Sequence, residues 1–244
     1  MTLRQLLQTL FFTTTLFAAT ITGLAILLIS TEEDVEEAQT QRFNSYLLAN
    51  ELRQSSDDLT RFARMYVATG EEKYLNYYSN VLDIRNGKMR RPEGYGGVYW
   101  DLVIGKTIPE PGANKENGIP LEARLLKAGI SIDEFSKLKE AQNLSNELAR
   151  LEVVATNAIK GRFDDGTGGF LKEGSPDLVL ANKILNDERY NQSKSAIMQP
   201  IGDFLSMVDK RTKVQLDHLN NYSRDILLAI TAASISFLAV TSLI

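Results

Sequence analysis

LLQTLFFTTTLFAATITGLAILLIS, residues Leu6–Ser30, runs in unbroken helical phase into TEEDVEEAQTQRFNSYLLANELRQSSDDLTRFARMYVATG, which ends at Gly70. Gln8 is the only strongly polar side chain in the first part. Roughly 20 consecutive mostly apolar residues are enough for a helix to cross a bilayer core. In the second part Leu48, Leu52, Ser55, Leu59, Phe62 and Tyr66 step by three and four, placing one apolar stripe on a helix otherwise covered in charge. Gly70 is the expected stop, because glycine adopts the left-handed conformation that ends helices. A single helix from about Leu6 to Thr69 follows, a membrane span feeding directly into an amphipathic helix.

The other end of the chain mirrors this. ILLAITAASISFLAVTSLI, Ile226–Ile244, carries no charge, glycine or proline and is a second candidate span. A cleaved signal peptide is the alternative for the first run, but its apolar region would be only roughly 7–15 residues long. The expected organisation is a cytoplasmic segment at 1–5, a span at 6–30, an extracytoplasmic helical domain at 31–225 and a span at 226–244. Arg4 before the first span supports this orientation through the bias of basic residues toward the cytoplasm, whereas Glu32, Glu33 and Asp34 after it carry little topological weight. The net charge of −4 and the 43% hydrophobic content hide how strongly the apolar residues gather at the two ends. No nucleic-acid partner is expected, whereas a membrane partner is.

Between the spans, helical patterns dominate. A helix from Glu71 has Leu75, Tyr78, Leu82 and Arg85 as its expected inner face. Ser131 and Glu134 form a capping box opening a helix to about Lys160, with Leu144, Leu148, Leu151, Ala155 and Ala158 along its stripe. Ser175-Pro176-Asp177 restarts helix, expected to run to about Arg189. A final helix from about Gln192 carries Leu205, Val208, Thr212, Leu216 and Leu219 toward the second span, with Pro200 marking a kink or restart. A short helix near Leu121–Ala128 is expected inside the Pro/Gly-rich stretch Arg90–Ile130. No strand of any length is convincing. The expected fold is all-α, an elongated antiparallel helical bundle resembling a four-helix bundle.

The stretch LANELRQSSDDLTRFARMYVATGEEKYLNYYSNVLDIRNGKMRRPEGYGGVYWDLV (Leu48–Val103) resembles the extracytoplasmic sensor region near the N-terminus of many bacterial membrane receptors, including methyl-accepting chemotaxis proteins and hybrid sensor histidine kinases. AIKGRFDDGTGGFLKEGSPDLVLANKILNDERYNQSKSAIMQPIGDFLSMVDKRT (Ala158–Thr212) is similar to the same regions. The resemblance implies a helical sensor between two spans of the bacterial inner membrane, working as a homodimer and signalling to cytoplasmic output domains beyond Ile244. It also implies a small-molecule or protein stimulus. A membrane-anchored adaptor that binds a partner protein without signalling is the alternative.

Arg85, Arg90 and Arg91 are candidate ligand contacts, because the guanidinium fork suits carboxylate and phosphate geometry. Tyr95, Tyr99 and Trp100 are candidate pocket walls, with Asp101 pairing an arginine or a ligand amine. The competing reading has Trp100 and the tyrosines anchoring the loop while the arginines pair with glutamates. Asp164–Gly169 (DDGTGG) lacks the alternating acids of a calcium loop and the lysine of a phosphate loop, so a tight turn is expected. With no cysteine and His218 as the one histidine, neither a thiolate nor a catalytic zinc site is expected. No cofactor, metal or catalytic residue is expected in this chain.

Overall fold

In a computed structural model, which describes residues 2–111 and 117–243, helix takes 79% of the described residues and strand 2%. The chain is all-α. Its elements are α1 (Leu3–Thr69), α2 (Glu72–Arg85), α3 (Tyr99–Ile104), α4 (Leu121–Lys127), α5 (Ile132–Ile159), β1 (Arg162–Phe163), β2 (Lys172–Glu173), α6 (Leu178–Asn186) and α7 (Glu188–Leu243). Expectations that fall on Met1, on residues 112–116 of the irregular stretch and on Ile244 lie outside the described residues.

Two compact units divide the chain, a terminal unit of Met1–Phe43 with Asp209–Ile244 and a central unit of Asn44–Val208. Among the described residues, two helices are long and apolar enough to cross a membrane. Within the terminal unit, Phe17 of α1 stacks on Phe237 of α7 with centroids 4.2 Å apart. Large apolar side chains such as Phe11, Phe12, Ile29, Ile235 and Leu238 face outward. The hydroxyls of Thr13, Thr14, Thr15 and Thr20 each donate to a carbonyl three or four residues earlier. Such back-bonding satisfies these four hydroxyl donors, which is the condition hydrocarbon imposes on polar groups. Arg42 and Asp209 form an ion pair at 2.6 Å in the same unit.

The central unit is built as the apolar periodicity requires, with several shifts of phase. Leu48, Leu52, Ser55, Leu59, Phe62 and Tyr66 of α1 are all buried, and Gly70 ends the helix at φ 70°. On α2 the inner face is Tyr74, Tyr77, Tyr78, Val81, Ile84 and Arg85, with Leu75 and Leu82 only half-buried. That face is turned from the expected one because the tyrosines bury more area than the leucines do. The capping box at Ser131 forms as expected: Glu134 N donates to Ser131 Oγ at 3.2 Å, and Ser131 N to Glu134 Oε2 at 2.7 Å.

Helix α6 starts later than Ser175-Pro176 suggests, because Asp177 is its cap and accepts from Leu180 N at 2.8 Å. It ends at Asn186, and α7 begins at Glu188 with Asp187 accepting from Tyr190 N at 2.7 Å. Pro200 lies inside α7 without breaking it. On α7 the buried seam is Ile197, Ile201, Phe204 and Val208, leaving Leu205 half-buried.

A short antiparallel hairpin joins α5 to α6, pairing Arg162 with Glu173 and Phe163 with Lys172. Asp164–Gly169 is its turn, as expected, with Asp164 and Asp165 accepting backbone N–H bonds from Gly166 and Thr167. Gly161 ties the hairpin to α5: its carbonyl accepts from Gly174 N at 2.8 Å. Its φ is 68°, and a Cβ there would lie 2.2 Å from the Gly174 carbonyl oxygen. Gly161→Ala is therefore expected to cost at least about 2 kcal/mol, a Tm fall of roughly 4–8 °C in the detergent-solubilised chain. Gly166→Ala, with φ 87° and open space around it, is expected to cost only the left-handed penalty of about 1 kcal/mol.

Candidate functional site

The aromatic residues of the irregular stretch hold it against the central unit. Trp100, on α3, is 1% exposed. It meets Phe62 of α1 edge-on at 5.2 Å and lies 5.5 Å from Tyr77 of α2. Tyr95 and Tyr99 pack on it at 6.4 and 5.3 Å, both buried. Edge-to-face pairs of this kind add to the stabilisation from burial alone. Burial also pushes the Tyr95 and Tyr99 hydroxyls up from their ordinary pKa.

Glu51 of α1 gathers the arginines that flank this cluster. Arg124 of α4 binds it in a fork, Nη1 to Oε1 at 2.6 Å and Nη2 to Oε2 at 2.8 Å. Arg91 donates Nε to Oε2 at 3.1 Å, donates Nη2 to the Tyr95 carbonyl, and lies over the Tyr95 ring. Both sides of the irregular stretch are thus fastened to one nearly buried carboxylate. Bidentate guanidinium–carboxylate geometry is among the stronger polar contacts a protein makes.

The seven residues singled out in the sequence do not converge on one place. Arg90, Arg91 and Tyr99 line a cleft of about 880 Å³, together with Glu93 and Glu110. Glu110 accepts from Tyr77 Oη at 2.7 Å, and burial together with this bond pushes the Tyr77 hydroxyl up to about 12. Among the described residues, two cations and two carboxylates line this cleft. Arg85 points into the core and does not line it. Its Nη1 donates to Ser145 Oγ at 2.9 Å and its Nη2 to Asn146 Oδ1 at 2.8 Å, while Nε is buried without a partner. Burial with only neutral partners pulls its pKa down. Tyr95 and Trp100 belong to the aromatic core. Asp101 is exposed and pairs with Arg61 at 2.7 Å.

A cluster that sequence periodicity did not single out lies deeper. Glu152 of α5 is 1% exposed. It accepts from Tyr190 Oη of α7 at 2.5 Å, Tyr78 Oη of α2 at 3.0 Å and Thr60 Oγ1 of α1 at 3.2 Å. Burial raises its pKa, opposed by these hydroxyls and by the charge of Lys194. Both tyrosines are in turn pushed up, by burial and then by the Glu152 charge. The available signal was the position of Glu152 directly beside the Leu148–Leu151–Ala155 stripe, a charge where the helix turns inward.

Among the described residues no group of three or more His, Cys, Asp or Glu side chains is placed to hold a metal ion. Compared with known protein families, characterised proteins and solved structures, the chain has no match.

Two predictions follow from these charges. Glu51→Ala strands Arg124 beside a nearly closed site, so we expect a loss of roughly 1–3 kcal/mol and faster proteolysis within Arg90–Ile130. Asp58 of α1 has Oδ2 buried without a partner, and burial pushes its carboxyl from 3.8 to about 6. The folded chain then holds a proton that the unfolded chain releases. The stability Asp58 contributes is full below pH 3.8 and is lost as the pH rises through about 6. The swing is about 3 kcal/mol, and Asp58→Asn should flatten this part of a Tm-against-pH curve.

Proposed function

We propose that the chain is the N-terminal sensor portion of a bacterial transmembrane signal-transduction receptor, either a two-component sensor kinase or a chemoreceptor. In this reading it is a homodimer in the inner membrane, its central unit lies outside the cytoplasm, and a stimulus there displaces α1 against α7. The single observation that supports it best is the continuity of those two helices. Each runs without a break from an apolar, membrane-length stretch into residues that form the core of the central unit. A continuous α-helix carries its hydrogen bonds along its axis and is stiff in that direction. A shift of packing in the core is thereby a shift of the same helix in the apolar stretch.

Signalling of this kind needs two packings a few kcal/mol apart, with the stimulus favouring one. Small side chains suit a seam that must slide, and Ala155 and Ala158 of α5 are buried at 0% and 1% exposure.

The chain has no cysteine, so engineered ones report without background. Single cysteines along Leu48–Tyr66 and Leu205–Leu219 should give intersubunit disulfides with a helical repeat, and that pattern should change with growth medium. Leu171→Cys, on an 81% exposed side chain, should react with an impermeant maleimide from outside intact spheroplasts. Disulfides that never change with conditions would favour the anchored adaptor, and labelling only after lysis would reverse the topology.

A further inference from the structure

A second cleft, of about 470 Å³, opens between α1 and α7 in the central unit. Asp57, Arg61 and Arg64 line it from α1 and Asn191 and Lys194 from α7, with Thr60 and Met65 also on its wall. Its cations are not matched alike. Asp57 is taken on both oxygens, by Arg53 at 2.8 Å and by Lys194 at 2.9 Å. Arg61 is held by Asp58 at 3.1 Å and Asp101 at 2.7 Å. Arg64 pairs with no carboxylate among the described residues. It donates Nε and Nη2 to the Leu185 carbonyl, at 3.1 and 2.8 Å, and lies 5.2 Å over the Tyr190 ring. Arg64 is thus the cation of this cleft that no described carboxylate contacts, while Lys194 feels the charges of both Asp57 and the buried Glu152.

Part of Arg64's role is structural, since the Leu185 carbonyl belongs to the last turn of α6, where a cation is favoured. That contact uses one edge of the guanidinium. The Nη1/Nη2 end keeps two parallel N–H groups, the geometry that grips a carboxylate in a fork. Lys194 spends two of its three donors on Ser56 Oγ and Asp57 Oδ1, both at 2.9 Å. Burial lowers its pKa, which Asp57 opposes, and a second anion beside it would further favour the charged form. Met65 supplies an apolar surface for the rest of a small ligand.

We propose that this cleft binds a small monocarboxylate, gripped by the free end of Arg64 and by the ammonium of Lys194. One carboxylate would give Arg64 the anionic contact it lacks, and Met65 favours an acid with an apolar tail over phosphate. The cleft is also wired to the core. Thr60 on its wall and Tyr190 beneath Arg64 are two of the three hydroxyls that donate to Glu152. Drawing Arg64 toward a ligand moves the group stacked on Tyr190, and through Tyr190 the contact between α7 and α5. That this ligand is the stimulus rests on the sensor reading above; that it binds does not.

The test is calorimetric titration of the full chain in nanodiscs with 4-methylpentanoate, with 3-methylbutylamine as a cation of similar skeleton and with inorganic phosphate. The expected result is one site for 4-methylpentanoate, no heat with the amine, and weaker binding of phosphate. Arg64→Met and Lys194→Met should each weaken 4-methylpentanoate by at least about 10-fold, which is about 1.4 kcal/mol. Lys194→Met leaves the Leu185 contact intact, so it reports even if Arg64→Met unfolds the chain. Absence of binding to a folded wild type at millimolar ligand overturns the site. Binding untouched by Lys194→Met, or phosphate binding more tightly than the carboxylate, overturns it too. Binding that leaves the intersubunit disulfides unchanged supports the cleft and removes the sensor reading instead.

Discussion

The central unit depends on one buried carboxylate. Glu152 sits on α5 with its oxygens turned into the core, and α1, α2 and α7 each send one hydroxyl to it. A carboxylate out of water is costly unless its lone pairs are met, and three donors from three helices meet them together. The arrangement is directional where apolar packing is not. Sliding one helix by a turn would leave an apolar contact tolerable but would strand an oxygen of Glu152. The helices are therefore held in register by a group that adds little net stability of its own.

The same unit handles its other buried charges in two further ways. Glu51 is neutralised directly by two arginines, which fasten the irregular stretch to α1 from both sides. Arg85 receives only neutral oxygens from α5, so its charge is solvated by dipoles and not cancelled. These choices divide the labour. Ion pairing secures the irregular segment, hydroxyls hold the helices in register, and the aromatic cluster around Trp100 supplies bulk burial. Arg64 has no carboxylate contact among the described residues, on a cleft whose wall includes Thr60, one of the hydroxyls that donate to Glu152.

A sensor built this way has a clear physical route from ligand to helix. Two of the groups that fix register, Thr60 and Tyr190, lie beside Arg64. The anion proposed there would act on a contact that fixes register, on helices that continue into apolar, membrane-length stretches. The cleft around Arg90, Arg91 and Tyr99 also carries Glu93 and Glu110 on its described wall, and Arg91 there is already held by Glu51, so it offers an anion less.

The local code was legible in the sequence wherever a residue acts on its own chain neighbours. The all-α class, the two apolar stretches, the stop at Gly70, the capping box at Ser131 and the turn at Asp164–Gly169 all depend on contacts within a few residues. Phase was less legible. The inner face of α2 turned toward its tyrosines, and α7 toward Phe204, because which of two adjacent apolar residues is buried depends on the neighbour's shape. The site residues were least legible. Arg85, Arg91 and Asp101 lie within one short stretch of sequence, yet one is buried against Ser145, one is bound to Glu51 and one is held by Arg61. Glu152, Thr60, Tyr78 and Tyr190 are spread over 130 residues, and only the packing of four helices brings them together. Sequence alone determined where helices start, stop and become apolar, because those choices are governed by local backbone and solvation energies. The tertiary structure decided which charges find partners, because that depends on distances between segments that no local pattern encodes.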